Sequence, residues 1–166
     1  DARRTWACWL KPDDATPDEA YTEQYISGKM GGGGNRGWQI VLGSDSPNWG
    51  VAAGDLVLTY FDAPAGSIYE KAIHDPQGPV LSDTDFTHVA VVFKGDEYVR
   101  VYRNGELLFE DTSEDVLSLW NGQNDVDFQV GNRGGSANYS FAGAIDDVYF
   151  FDTALSEQEI VQLMGS

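Results

Sequence analysis

The chain has 166 residues, a length that suits one domain with a substantial hydrophobic core. Ten basic and 27 acidic residues give a net charge of −17, which excludes non-specific binding to nucleic-acid phosphates or to an anionic membrane face. Aromatic residues make up 13% of the chain, and this fraction, together with 19 glycines, is typical of sandwiches of short strands. No segment is long and apolar enough for membrane insertion, and the single cysteine, Cys8, excludes an internal disulfide.

Strand-like runs fill most of the chain, and glycine, asparagine, aspartate or proline separates them. The predicted strands are 5–11, 21–29, 37–42, 50–52, 56–61, 66–73, 86–94, 97–103, 106–111, 126–131 and 139–151. The run 89–93 is apolar in both alternations, which predicts an inner strand covered on both faces.

One tight turn stands out in the second half of the chain. Asn104 and Gly105 form the signal for a two-residue hairpin that requires positive φ. Such a turn fixes the register of the strands on either side. The residues expected to face each other are Val101 with Leu108 and Tyr102 with Leu107.

The last residues predict one short helix. Ser156 suits the N-cap, and Glu159 three residues later completes a capping box. The apolar residues that follow would form one buried stripe on the helix, and Gly165 suits the position after it. The stripe consists of Ile160, Val161, Leu163 and Met164. The sequence therefore predicts a mostly β chain that closes on a single helix.

The run 139–151 cannot be one regular strand with all its apolar residues on the core side. Its apolar residues are Phe141, Gly143 and Ile145 in one alternation, and Val148 and Phe150 in the other. Both sets face the core only if the phase slips between them, so we predict a bulge or kink at Asp146 and Asp147. Carboxylates that turn outward beside unpaired carbonyls would suit Ca²⁺, which prefers six to eight oxygen ligands.

Four segments in this order resemble one known family. They are 9–12 (Trp-Leu-Lys-Pro), 87–93, the hairpin 101–107, and 141–160, which includes the Ile-Asp-Asp-Val run. The pattern resembles the laminin-G-like (concanavalin A-like lectin/glucanase) domain. The resemblance implies that residues 1–166 form a single all-β jelly-roll sandwich of two antiparallel sheets with one short C-terminal helix. Family members usually have a strand before the first segment, whereas only residues 1–4 precede it here. We expect that strand to be lost, to be supplied by a neighbouring chain, or never to have belonged to this chain.

The resemblance also implies a structural Ca²⁺ near one rim, held by Asp146 and Asp147 together with a carboxylate at the chain start. Here only Asp1 could supply that carboxylate. Asp125 and Asp127 flank a predicted strand start and could serve as well. In the alternative interpretation, Asp146 only accepts hydrogen bonds from turn amides.

Sugar recognition requires flat aromatic faces for the apolar side of the ring and polar groups for its hydroxyls. The predicted ligand-binding residues are Trp49, Trp120, Tyr139, Trp38 and Asn138. Trp49, Trp120 and Tyr139 lie in or beside polar loops, where core packing explains an aromatic residue less well. We expect these three to share one open groove. In the alternative, each caps one end of the sandwich and pins its own loop.

No catalytic set is evident. His88 alternates with apolar residues on the predicted inner strand, which indicates a hydrogen-bonded structural role, and His74 lies in a loop without metal-ligand spacing. Related glucanases use paired carboxylates in a short E-x-D-x-x-E strand motif, and this sequence contains none. A polysaccharide hydrolase or lyase is therefore the weakest of three hypotheses.

The preferred hypothesis is a non-catalytic, lectin-like recognition or adhesion module with a glycan or polysaccharide as its partner. Such a module would be extracellular or displayed on a surface. The second hypothesis is a structural or adhesive component of a larger assembly, such as a fibre or virion surface. In that case an unfilled sheet position beside residues 5–11 would accept a strand from a protein partner.

Overall fold

A computed structural model describes residues 3–17, 24–29, 37–44, 50–62, 67–95, 97–113, 127–134 and 139–165. Within these residues the chain forms ten strands and one helix. The strands are β1 (Arg3–Pro12), β2 (Gln24–Gly28), β3 (Gly37–Leu42), β4 (Leu56–Asp62), β5 (Ser67–Ile73), β6 (Thr87–Lys94), β7 (Tyr98–Arg103), β8 (Glu106–Asp111), β9 (Gln129–Val130) and β10 (Gly143–Phe151), and the helix is α1 (Glu157–Met164). The strands form two antiparallel five-stranded sheets, which confirms the predicted all-β class with one C-terminal helix. Helices long and apolar enough to cross a bilayer are absent from the described ranges.

The first sheet has the strand order β10-β1-β6-β7-β8. Its central strand β6 is buried from Thr87 to Phe93, which confirms the predicted inner strand. Helix α1 packs through Ile160 on one face of this sheet, against a cluster that includes Ala7 and Tyr102. Cys8 lies on the opposite face and is fully buried, and burial raises the pKa of its thiol far above the usual range.

The helix begins as the sequence predicts. The Ser156 side chain accepts a hydrogen bond from the Glu159 backbone, and the Glu159 carboxylate accepts one from the Ser156 backbone at 2.7 Å. These two bonds form the capping box and satisfy two of the amides that a helix start leaves open. Of the predicted stripe, Ile160 is fully buried, whereas Val161 is exposed.

The second sheet has the strand order β5-β4-β3-β2-β9. One of its faces carries buried aliphatic residues from β3 and β4, among them Ile40, Leu42 and Leu58. The opposite face is described below because it combines apolar and polar groups. The predicted strand 50–52 is reduced to a β-bridge at Val51, which packs onto that second face, and Gly50 before it adopts φ +66°.

The hairpin turn at Asn104 and Gly105 has positive φ at both residues, as predicted. Tyr102 faces Leu107, as expected, but the pairing of Val101 with Leu108 is wrong. Val101 faces Phe109, because the register shifts by one residue at this point.

The predicted kink in the last strand is present, because Asp147 adopts the left-handed conformation with φ +47°. The expectation that both apolar sets become covered is wrong. Val148 and Phe150 are exposed, whereas Tyr149 and Phe151 are half-buried. The kink therefore changes the course of the strand without turning Val148 and Phe150 inward.

Strand β10 also corrects an expectation about the chain start. β1 has a strand on both sides, β10 and β6. The position beside residues 5–11 is therefore filled by this chain itself, and a partner strand cannot be added there. The outer edge of the first sheet lies one strand further out, at β10.

Candidate functional site

A row of polar residues crosses one face of the second sheet from edge to edge. The strand register pairs Gln129 with Gly28, Gly28 with Gln39, Gln39 with Thr59, and Thr59 with Glu70. Residues that face each other across neighbouring strands project to the same side. These five residues, one from each strand, are called the polar row. At about 4.8 Å between strands, the row spans about 19 Å.

The glycine in the polar row makes space for a tyrosine. A Cβ atom built on Gly28 would overlap the Trp38 carbonyl oxygen most closely, and would lie 2.6 Å from Tyr25 Oη and 2.8 Å from Gln39 Cα. The Trp38 carbonyl and the Tyr25 hydroxyl thus occupy the place that a side chain at position 28 would take. A buried phenol oxygen therefore fills the second position of the polar row.

Apolar residues adjoin the polar row on the same face. Tyr25, Val41 and Val57 form a buried cluster with Val51, and Tyr139 packs against that cluster. An aromatic ring consequently stands beside a line of hydrogen-bonding groups. This combination is the one that sugar recognition requires.

Arg133 links the aromatic ring to the polar row. Its guanidinium carbon lies 4.5 Å from the centre of the Tyr139 ring, and its Nη1 donates to Gln39 Oε1 at 3.2 Å. The stacked, hydrogen-bonded guanidinium is held in a defined orientation. The chain therefore places a positive charge on this face despite its net charge of −17.

Backbone contacts fix the segments that carry these residues. Gly131 donates to the Ile26 carbonyl at 2.8 Å and accepts from the Phe141 amide at 2.8 Å. Gly134 donates to Gln129 Oε1 at 3.0 Å, which ties the loop after β9 to the end of the polar row. These hydrogen bonds to the edge of the sheet thus fix the positions of Arg133 and Tyr139.

Thr59 is the most unusual member of the polar row. Its side chain is 1% exposed, and within the described residues its Oγ1 has no hydrogen-bond partner. A buried hydroxyl left in this way costs stability, and such groups are uncommon in folded proteins. We infer that this hydroxyl is kept at a cost to stability.

The structure locates only part of the predicted ligand set. Tyr139 lies at the polar row, whereas Trp49, Trp120 and Asn138 lie outside the described residues. Trp38 is 5% exposed and faces the other side of the sheet, with its ring 6.0 Å from that of Phe128. We therefore leave Trp38 out of the proposed site, and the shared groove of three aromatic residues stays a prediction.

The predicted Ca²⁺ site stays a prediction as well. Asp146 and Asp147 are exposed, and Asp146 Oδ1 accepts the Asp147 amide at 2.9 Å. Asp1 lies outside the described residues. Clusters of three or more metal-ligating side chains are absent from the part of the chain that the structure describes.

The two histidines occupy different settings. His88 is buried, its ring meets Trp9 edge-on at 5.1 Å, and burial lowers its pKa below the usual 6.5. Its backbone amide donates to Asn104 Oδ1 at 2.9 Å, but its ring Nδ1 has no hydrogen-bond partner in the described ranges, contrary to expectation. His74 Nδ1 lies 2.9 Å from Asp55 Oδ1 in a loop.

Sequence reasoning missed Gln39, Thr59, Glu70 and Arg133. A usable signal was present, because Gln39 and Thr59 interrupt otherwise apolar runs in β3 and β4. A polar residue in a buried strand indicates either a hydrogen-bond network or a site. Only the register shows that the two are neighbours on one face.

Comparison with known sequences identifies the family. The profile of the concanavalin A-like lectin/glucanases superfamily matches residues 1–161. The chain belongs to this family. No curated protein matches the sequence.

Solved structures with the same fold are distant in sequence. The binding domain of Paraclostridial Mosquitocidal Protein 1 has a TM-score of 0.70 at 18% identity, and the match covers 98% of this chain and 36% of that one. This chain thus spans about a third of the toxin structure. The Ruminococcus gnavus IT-sialidase CBM40, solved with α2,3-sialyllactose, has a TM-score of 0.66 at 18% identity, with 98% and 82% covered. Domain 4 of the arabinanase AbnA from Geobacillus stearothermophilus, solved with arabinotriose, has a TM-score of 0.64 at 18% identity, with 98% and 66% covered. At these identities the similarity shows the jelly-roll fold alone.

Proposed function

We propose that this family member is a non-catalytic glycan-binding module whose site is the polar row with Arg133 and Tyr139. The observation that carries the proposal is the position of an oriented guanidinium–tyrosine pair directly above a line of hydrogen-bonding groups. The Tyr139 ring would cover the apolar face of a sugar, while the half-buried side chains of Arg133 and Gln129 would bind its hydroxyls. Structural neighbours that were solved with sialyllactose or arabinotriose support this class of ligand.

The chemistry of the polar row favours binding over catalysis. Glycoside hydrolysis uses two carboxyl groups on either side of the scissile bond. The row contains one carboxylate, Glu70, at its outer end, and the groups at its centre are an amide and a hydroxyl. These central groups are buried, and neither is suited to protonate a glycosidic oxygen.

The location proposed for the module is extracellular or surface-displayed. The neighbours that support it include a carbohydrate-binding module of a sialidase and a domain of an extracellular arabinanase. A glycan-binding site in that setting would attach the parent protein to a polysaccharide or to a cell-surface glycan.

The test is a glycan array with sialylated, arabinan and neutral oligosaccharides, followed by titration calorimetry on any that bind. Tyr139→Ala should weaken binding by about tenfold, equivalent to ~1.4 kcal/mol, because the sugar loses its stacking surface. Tyr149→Ala, which removes another half-buried tyrosine from β10, is the matched control and should bind as the native chain does. Equal affinities for the two variants, or a glycan bound without any effect of Tyr139→Ala, would refute the proposed site.

A further inference from the structure

In the first sheet, the edge at β10 differs in its residues from the opposite edge at β8. Among the strands that the structure describes, β10 is terminal and lies beside β1. In any strand, half of the backbone N–H and C=O groups point to one side, so those of β10 that point away from β1 can pair with an added strand. Asp147, in the left-handed conformation, interrupts the strand, and the regular part is therefore limited to 148–151.

This regular part is apolar at every position. Val148 is 38% exposed and Phe150 is 47% exposed on one face, while the Tyr149 and Phe151 rings stack at 6.0 Å on the other. An exposed apolar edge normally invites pairing with another chain. At the opposite edge of the same sheet, β8 is protected, since it carries the acidic residues Glu106, Glu110 and Asp111 within the strand itself. Of these two edges, the apolar one is thus at β10.

Carboxylates stand at both ends of the apolar segment. Asp147 precedes Val148, and Asp152 follows Phe151, and both are exposed. Asp146 lies beside Asp147 and accepts its amide. Along this edge, four apolar residues are therefore flanked by an acidic residue at each end.

These charges disfavour a second copy of this chain as the partner. An antiparallel pair of β10 strands centred on Tyr149 would place Asp146 opposite Asp152 of the other copy. If it were centred between Tyr149 and Phe150, Asp147 would face Asp152 instead. Like charges directly opposite each other are destabilising, and two chains of net charge −17 also repel at long range.

We propose that the β10 edge binds an extended segment of a different polypeptide, with basic residues flanking a four-residue stretch that is apolar at alternate positions. Main-chain hydrogen bonds to 148–151 provide the affinity, and the alternate apolar side chains cover Val148 and Phe150. The basic residues pair with Asp147 and Asp152 and fix the register. This interaction is separate from the glycan site and does not depend on it.

The experiment uses the full chain and a capped hexapeptide with the sequence lysine, threonine, valine, threonine, valine, lysine. In antiparallel pairing its lysines lie opposite Asp152 and Asp147, and its valines lie opposite Phe150 and Val148. Binding should slow amide hydrogen exchange within 148–151 and leave β8 unchanged. A peptide with glutamate in place of both lysines should bind at least about fivefold more weakly, because both ion pairs become repulsive. A peptide with proline at its third position should not bind, since it cannot complete the ladder.

Variants of the chain test the same contacts. Asp152→Asn should reduce affinity for the lysine peptide about two- to fivefold, the effect of one exposed ion pair. Tyr139→Ala, at the glycan site, should leave peptide binding unchanged. The proposal is overturned if folded protein shows no protection at 148–151, if the glutamate peptide binds as well as the lysine peptide, or if sedimentation shows a dimer that Val148→Lys dissolves.

Discussion

Two buried threonines allow the interpretation of the polar row to be tested by stability alone. Thr59 is 1% exposed, and in the described part of the chain its Oγ1 has no hydrogen-bond partner. Thr5 is 0% exposed, and its Oγ1 donates to the Thr153 carbonyl at 2.8 Å and accepts from the Leu155 amide at 2.9 Å. Replacement by valine keeps the shape of either side chain and removes only the hydroxyl.

The two substitutions should have opposite effects. Thr59→Val removes a buried hydroxyl that is not bonded in this way, so the free energy of unfolding should rise by about 1 kcal/mol. Thr5→Val removes two hydrogen bonds and leaves a carbonyl and an amide without their partner. The free energy of unfolding should therefore fall by about 2–4 kcal/mol. For a domain of this size, 1 kcal/mol corresponds to about 2–4 °C in Tm.

Thermal unfolding followed by circular dichroism, together with urea titration, measures both changes. The urea m-value should stay constant, because neither substitution alters the surface exposed on unfolding. If Thr59→Val destabilises the chain as much as Thr5→Val does, the Thr59 hydroxyl is bonded in the folded state. The inference that the Thr59 hydroxyl is kept at a cost to stability would then be refuted. If Thr59→Val stabilises the chain, that inference is supported.

Four further predictions concern the fold and its ions. Gly28→Ala should lower the free energy of unfolding by about 1–3 kcal/mol, since the new methyl group would overlap the Trp38 carbonyl oxygen and the Tyr25 hydroxyl. Ser156→Ala should lower it by about 1 kcal/mol, because the capping box is lost. Since the pKa of His88 is lowered in the folded chain, the unfolded chain binds the proton more readily. Stability should therefore fall as pH drops below 6.5, and His88→Leu should remove the part of this fall that is due to His88. If Ca²⁺ binds at Asp146, Tm should rise with the ion and fall with chelator, and Asp146→Asn should abolish the difference.

Matched controls accompany these predictions. Gly165→Ala places a methyl group no closer than 3.8 Å to its neighbours and should change stability little. Ser113→Ala removes an exposed serine outside the helix cap and should be neutral. A Gly28→Ala variant as stable as the native chain would contradict the close approach of Tyr25. If the pH dependence of stability is unchanged in His88→Leu, other groups cause it. If the effect of Ca²⁺ on Tm persists in Asp146→Asn, the ion binds elsewhere.

Local signals in the sequence predicted local structure well. The capping box of Ser156 and Glu159 and the turn at Asn104 and Gly105 involve residues within a few positions of each other, and both are present. The pairing of Val101 was wrong because a bulge two residues from a turn leaves no mark in apolar alternation. The family pattern predicted the two sheets, since it is spread over almost the whole chain.

The candidate site could not be predicted because it is assembled by register. Gln39 and Glu70 lie 31 positions apart in sequence and two strands apart in the sheet, and four separate strand pairings place the members of the polar row on one face. A shift of one residue in any pairing would turn part of the row to the other side. The position of Arg133 depends on the same strand pairing, since the loop that carries it is hydrogen-bonded to Gln129. The prediction concentrated on tryptophans in loops and did not consider polar residues within the strands.

The acidity of the chain has a structural role that composition alone did not reveal. In the first sheet, acidic residues lie within the edge strand β8 and on both sides of the apolar segment of the edge strand β10. Charged residues at sheet edges oppose unwanted pairing between chains, and here they would oppose pairing between copies of this one. At β10 the same carboxylates would favour a basic partner. Added salt should therefore strengthen self-association and weaken capture of the lysine peptide, because screening acts on both interactions. If added salt strengthens both self-association and peptide binding, or weakens both, the flanking carboxylates do not determine the choice of partner.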